Sequence, residues 1–400
     1  MSTTTGKLAV HGGMPVRQRP LPYGQQCLDE ADIAAVVEVL RSDWLTTGPT
    51  VEAFEGALAE TLRASHAIAV SNGTAALHAA MYALGIGPGD EVIVATLTFA
   101  ASANCVVFQG GTPVFADVDA ATLLLDPGAV EAQITPRTKA IVAVDYAGQP
   151  CNYEALRVIA DRHGLALVAD ACHAIGGSDR GHPVGTLADF NVFSFHPVKH
   201  ITTGEGGAIT THSAELAQRM RIFRNHGITS DHRQRAQVGG FFYEMVDLGY
   251  NYRITDIQCA LGLSQLRKLP TFIHQRQALA AHYTAAFTDM AGVQPLTVRD
   301  EVVHAYHLYV VQLDLDRLRT TRNEIFAALR AEGIGVNVHY IPVHLHPFYR
   351  QRFDTGPGLC PVAEAAYERL LTLPLFAHMT LSDANDVIAA VDKVLHYYRK

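Results

Sequence analysis

Residues 191–207 read NVFSFHPVKHITTGEGG. An apolar run suited to a buried strand stops at Pro197 and presents one lysine, Lys199. A glycine-rich turn then leads into a second strand-like run at 208–211. A lysine at the mouth of a strand, walled by apolar residues, can lose its proton and act as a nucleophile or form a Schiff base. Lysine is also the residue most at home on an exposed loop, so its surroundings must decide.

Asp170 follows the apolar run 165–169. A lone buried carboxylate costs several kcal/mol, so this one needs a cationic or strongly donating partner. Residues 71–74, SNGT, join a strand-like run at 67–70 to a helical pattern at 75–84. A helix start of that kind offers free N–H groups and a positive dipole end to an anion. Phe99 follows the strand-like run 91–95. Singly these are a loop lysine, an N-cap aspartate, a helix cap made by Ser71 or Thr74, and a core phenylalanine. Together they match what pyridoxal 5′-phosphate asks of a protein: an amine for the Schiff base, a carboxylate at the pyridinium, a phosphate cradle (here at Gly73 and Thr74) and a flat apolar group on the ring.

The elements that must position them alternate. Helices are expected over 29–41, 51–62, 75–84, 100–108 and 153–163, and strands over 67–70, 91–95, 113–116, 140–144 and 165–169. Such alternation predicts an α/β fold with a mostly parallel sheet sandwiched by helices, and ligands at the carboxyl ends of the strands. Thr74, Phe99, Asp145, Asp170, His173 and Lys199 all fall at such ends. Beyond residue 255 a long helix (255–287), strands (306–313, 336–340) and helices (321–332, 362–371, 383–397) predict a smaller α+β domain. The expected division is a large domain over 1–262 and a small one over 263–400, with the arm 1–30 packing on the latter.

With 48% hydrophobic and 18% charged residues, 400 residues suffice for two cores. A net charge of −8 argues against a nucleic-acid partner. The six cysteines are scattered without a C-x-x-C pair and read as small core residues of a reducing compartment. No apolar segment of signal-peptide or membrane-spanning kind occurs, so the expected location is the cytoplasm, with no membrane partner.

The sequence resembles the sugar aminotransferases of the DegT/DnrJ/EryC1/StrS family from about residue 20 onward. The motifs that carry the resemblance are LTTGP at 45–49, SNGTA at 71–75, TFAA at 98–101, VADACH at 168–173, SFHPVK at 194–199, GEGG at 204–207, RNHG at 224–227 and GYNYR at 249–253. The resemblance implies the fold-type I aminotransferase architecture. By it, Lys199 is the Schiff-base lysine and also moves a proton. Asp170 holds the ring nitrogen, His173 lies near the ring hydroxyl and Phe99 stacks on the ring. Gly73, Thr74 and Ser194 hold the phosphate, and Asn251 reaches the site from the partner subunit of a homodimer. L-Glutamate is the implied amino donor and a nucleotide-linked keto-sugar the acceptor. One branch replaces the lysine with histidine and dehydrates its substrate; here Lys199 is present, which favours transamination. VDYAG at 144–148, SFHPVKHITT at 194–203 and ALGLSQL at 260–266 are most similar to the branch that aminates UDP-4-keto-6-deoxy-N-acetyl-β-L-altrosamine on the pseudaminic acid route to cell-surface polysaccharide. On that resemblance Tyr23, Trp44, Leu45, Thr46, His339 and Tyr340 meet the substrate.

Two alternatives stay open. The leader KLAVHGGMPVR at 7–17 is of a kind found in branches that make antibiotic sugars or aminocyclitols. A non-catalytic regulator could keep the fold, although it would have no need of both Lys199 and Asp170. The group His339, His344 and His346, and the pair His196 and His200, are weighed as metal ligands and read instead as pocket or surface histidines, because no tetrahedral or octahedral set is evident.

Overall fold

The computed structural model describes residues 7–230, 233, 235 and 239–400. The first six residues, part of the expected arm and of the stretch read as lacking an export signal, lie outside the described residues.

Seven strands form the main sheet: β1 (His66–Val70), β2 (Glu91–Ala95), β3 (Thr112–Ala116), β4 (Thr138–Val144), β5 (Ala166–Asp170), β6 (Phe190–Ser194) and β7 (Gly207–Thr211). Their order is β1-β7-β6-β5-β4-β2-β3, and only β7 runs antiparallel to its neighbours. Central strands such as β2 and β4 are apolar almost throughout because helices cover both faces. The helices α1 (Glu30–Leu40), α2 (Pro49–Leu62), α3 (Gly73–Leu84), α4 (Ala101–Phe108), α5 (Pro127–Ala132), α6 (Tyr153–His163) and α7 (Ala214–Phe223) accompany this sheet. The fold is the fold-type I aminotransferase fold.

The antiparallel entry of β7 shapes the end of β1. A Cβ on Gly207 would stand 2.5 Å from the carbonyl carbon of Asn72, so only glycine lets the 71–73 turn lie against this strand.

Helix α8 (Asp256–Phe287) opens with a reciprocal capping box between Thr255 and Gln258 and is about 48 Å long. Its first half buries Cys259, Leu266, Leu269 and Phe272 in the core of the main sheet. Its second half buries Leu279, Tyr283 and Phe287 in a second core, on the antiparallel sheet of β8 (Val293–Pro295), β9 (Tyr309–Leu313) and β10 (Leu370–Leu373). The arm belongs to this second core: Leu8 and Leu21 are buried in it, Arg17 binds Asp383 at 2.8 Å and Asp386 at 2.7 Å, and Gly335 N–H donates to the Leu21 carbonyl at 2.7 Å. Residues 343–366 contribute Val343, Tyr349, Cys360 and Ala363 to the first core.

Two expected elements of the second core change in kind. The strand expected over 336–340 is only an isolated bridge, Asn337 to Thr372, because the chain then turns so that His339 and Tyr340 reach the main sheet's end. The helix expected over 362–371 stops at Tyr367, and its apolar tail becomes β10, paired with β9. No described helix is long and apolar enough to cross a membrane.

Asp145, just after β4, is fully buried. One carboxyl oxygen accepts Cys151 N–H at 2.9 Å and the Tyr153 hydroxyl at 2.7 Å, while the other has no partner. Burial, against those hydrogen bonds, pushes its pKa up to about 7. The unfolded chain releases this proton near pH 4, whereas the folded chain holds it to about 7, so stability is expected to fall as pH rises through that window. Asp145→Asn mimics the protonated form. Thermal melts should show the variant matching wild type near pH 4 and exceeding it at pH 8; parallel curves would refute the assignment.

Candidate active site

Asp170 is the last residue of β5 and is buried. Its Oδ2 accepts the Ser102 hydroxyl at 2.5 Å and its Oδ1 accepts Cys172 N–H at 3.3 Å. Ser102 is paired in turn with the Thr98 hydroxyl at 2.7 Å. Each carboxylate oxygen has spare acceptor capacity for a third donor.

Lys199 stands in the turn after β6, where Pro197 ends the strand and Lys199 N–H donates to the His196 carbonyl at 2.9 Å. Nζ lies 3.4 Å from Nε2 of His307. Burial of the amine lowers its pKa, while the nearby Cys172 and Asp170 oppose the shift. An amine so placed is easier to deprotonate, as a nucleophile requires.

His173 is buried, with Nε2 at 3.1 Å from the Tyr340 hydroxyl and its ring 4.4 Å from that of His307. Burial first, then the Lys199 charge, holds it uncharged. Its Nδ1 has no partner, an orphan that a bound group's hydroxyl would satisfy. Phe99, after β2, is 62% exposed, and its ring lies 6.1 Å from that of Tyr340. Tyr23 faces His339 at 5.5 Å between ring centroids. His339 is fixed by Thr372 at 2.9 Å and by the Tyr146 hydroxyl, which donates to its carbonyl.

At the start of α3 the Asn72 side chain accepts Ala75 N–H at 2.8 Å, leaving the first-turn N–H groups of Gly73 and Thr74 to an outside acceptor. A Cβ on Gly73 would come within 3.0 Å of the Ser194 Cβ, so glycine brings the Ser194 hydroxyl to this helix start.

The remaining residues sit differently. Leu45 accepts Asp256 N–H at 3.0 Å, Thr46 bridges to Thr255, and the Trp44 ring lies 5.7 Å from the Arg233 guanidinium. Asn251 is exposed and bridges to Asn225. Their neighbours Thr47 and Asn225 line a cavity in which Arg221, Arg224, Arg233 and Arg253 stand with Glu52 and Glu55. Of the weighed histidines, His344 joins Thr96 at 2.5 Å to Glu364 at 2.9 Å. No group of three metal-ligating side chains that could hold an ion occurs among the described residues.

Sequence reasoning missed Ser102 and His307. Ser102 lies four residues after Thr98 at a helix start, a spacing that could have flagged it. His307 was absorbed into a strand expected over 306–313; that strand begins only at Tyr309, leaving His307 in the preceding turn.

An amine, a buried carboxylate, an orphaned imidazole nitrogen, an open aromatic face and an unclaimed helix start thus meet at the sheet's carboxyl end. This set fits pyridoxal 5′-phosphate. The chain matches the DegT/DnrJ/EryC1/StrS aminotransferase family over residues 26–392. It is 42% identical to the spore coat polysaccharide biosynthesis protein SpsC of Bacillus subtilis, across 95% of this chain and 98% of that protein. Helicobacter pylori PseC, described as an aminotransferase involved in the biosynthesis of pseudoaminic acid, superposes with a TM-score of 0.88 at 34% identity, across 95% of this chain and 100% of that one. The PLP-form of Spr1654 from Streptococcus pneumoniae gives a TM-score of 0.88 at 31% identity, across 94% of this chain and 99% of that one. The chain belongs to the DegT/DnrJ/EryC1/StrS aminotransferase family and is a pyridoxal 5′-phosphate-dependent enzyme of the sugar aminotransferase kind.

Proposed function

We propose that this enzyme moves the amino group of L-glutamate onto a nucleotide-linked 4-keto-6-deoxy sugar, with UDP-4-keto-6-deoxy-N-acetyl-β-L-altrosamine the preferred acceptor. The observation that carries the reaction class is Lys199 and Asp170 at neighbouring strand ends with the amine's proton affinity lowered. The likeness to PseC, an aminotransferase involved in the biosynthesis of pseudoaminic acid, supports the choice of sugar.

Bound pyridoxal phosphate would supply an electron sink that makes the donor's Cα proton acidic. Lys199 Nζ, with its lowered proton affinity, would be the base that takes that proton and carries it. Asp170, held by Ser102, would present its carboxylate to the ring nitrogen. His173 Nδ1 would take up the ring hydroxyl, and Phe99 would cover one ring face. Gly73 and Thr74 N–H groups, with the Ser194 hydroxyl, would hold the phosphate. Tyr23, His339 and Tyr340 form an aromatic wall for the sugar nucleotide.

Trp44, Leu45 and Thr46 join this substrate wall, and Asn251 completes the phosphate site of a partner subunit in a homodimer. Supporting that assembly, Phe241, Phe242, Tyr243, Met245, Val246 and Leu248 are exposed, from 50% to 89%, in the segment leading to Asn251. All six cysteines are free, in keeping with a cytoplasmic enzyme.

An absorbance spectrum tests the reaction class. The visible band of the lysine-linked cofactor should bleach on adding L-glutamate and return on adding the keto-sugar. A panel of UDP- and dTDP-keto-sugars then tests the acceptor. A band indifferent to glutamate would remove the donor, and return to colour with only a dTDP-sugar would remove the proposed acceptor.

A further inference from the structure

We propose that His307 is a positioning residue for Lys199: its Nε2 accepts an N–H from Nζ and holds the amine in place whenever it is not bonded to the cofactor. The inference rests on the reading of Lys199 as the nucleophile. His307 Nε2, at 3.4 Å, is the one side-chain hydrogen-bond partner of Nζ among the described residues. An ammonium has donors only, so while Nζ is protonated the imidazole must present a lone pair to it. That requires His307 to stay neutral with its proton on Nδ1, the nitrogen that has no partner.

The surroundings enforce this state. Arg276 on α8 is fully buried and makes no ion pair among the described residues. A buried guanidinium without a carboxylate is costly, so its placement calls for a reason. Its Nη1 donates to the carbonyls of Tyr306 and His307, each at 3.2 Å, and of Leu375 at 3.0 Å. Arg276 thereby pins the turn that carries His307. Burial is the first cause that keeps His307 uncharged, and the charges on Lys199 and Arg276 act in the same direction. His307 can therefore accept from Nζ but is poorly able to become a competing cation beside it.

The test follows the amine itself and not turnover. Cofactor-free protein is mixed with pyridoxal 5′-phosphate across a pH series and reduced with cyanoborohydride, and the label on the Lys199 peptide is quantified by mass spectrometry. Wild type, His307→Leu and His307→Gln are compared. A hydrogen bond to the charged form favours the ammonium, so its loss in His307→Leu should move the midpoint of the labelling profile down by about one pH unit. That is a roughly tenfold faster reaction below the midpoint. The amide oxygen of His307→Gln should restore the wild-type midpoint. The other groups facing Nζ, namely Asp170, Cys172, His173, His200 and His339, are unchanged in both variants.

A merely structural role would leave the midpoint where it is, or move it equally in both variants, and either result overturns the proposal. If His307→Leu fails to fold, His307→Asn, whose shorter side chain falls short of Nζ, carries the same expected shift. A label that falls on another residue in the wild type overturns the nucleophile reading, and this proposal with it. A label on Lys199 with unmoved midpoints overturns this proposal alone.

Discussion

Lys199→Ala is expected to lower turnover by more than about 10⁴-fold while the protein still retains pyridoxamine phosphate. Two contributions vanish together. The nucleophile that anchors the cofactor is gone, and so is the base that carries the proton; the second alone accounts for roughly 10²–10⁴ in rate. The fold should survive. The turn is held by the Lys199 backbone N–H on the His196 carbonyl, which alanine keeps. Removing an amine whose charge is disfavoured by burial should leave the melting temperature equal or higher. The phosphate cradle proposed at Gly73, Thr74 and Ser194, and the ring contact proposed for Phe99, lie outside the substitution, so non-covalent binding should persist in calorimetry. Near-normal glutamate consumption by this variant would sink both the assignment of Lys199 and the proton route drawn through it.

What could be read from the chain alone follows from the range over which each feature is specified. The sheet strands are short apolar runs, three of them closed by an aspartate (Asp117, Asp145 and Asp170), and the helices between them repeat at three and four residues. Local pattern therefore sufficed for an α/β fold with a mostly parallel sheet and for the order of strand ends, while the fold-type I architecture was what the family resemblance implied. Asp170 and Lys199 were legible because each closes its own strand region. Their partners were not. Ser102 reaches Asp170 across 68 residues, and His307 reaches Lys199 across 108. Such pairings are set by how α4 and β9 dock, which no local spacing encodes. The 336–340 segment failed for a related reason. Its alternation looks like a strand, but Asn337 alone pairs with β10; His339 holds to Thr372 only through its ring, and Tyr340 turns to His173. Trp44 to Thr46 and Asn251 share a third difficulty. Their proposed roles need a second subunit, and a single chain shows them beside Thr255, Asp256, Arg233 and Asn225.

Asp170→Asn is expected to leave the fold intact and to cost about 10²–10³-fold in rate. The geometry explains both halves. Ser102 donates to one carboxylate oxygen and Cys172 N–H to the other. An asparagine can keep its oxygen on the Cys172 N–H and turn its amide toward Ser102. The Ser102 hydroxyl can then donate to the Phe99 carbonyl, 3.2 Å away. No buried group is stranded, so the melting temperature should change little. The charge is what disappears. A carboxylate favours a protonated ring nitrogen through a charge-assisted hydrogen bond, roughly twice as strong as a neutral one, and a neutral amide cannot hold that proton. With the ring nitrogen bare, the electron sink is weakened at the step where Lys199 removes the Cα proton, so kcat should fall far more than the affinity for glutamate. Ser102→Ala is the matching control: it removes one donor to the carboxylate but keeps the charge, and should cost less than about tenfold. Equal losses in the two variants would mean that Asp170 acts through its hydrogen-bond geometry and not its charge, and the role drawn for it here would have to be abandoned.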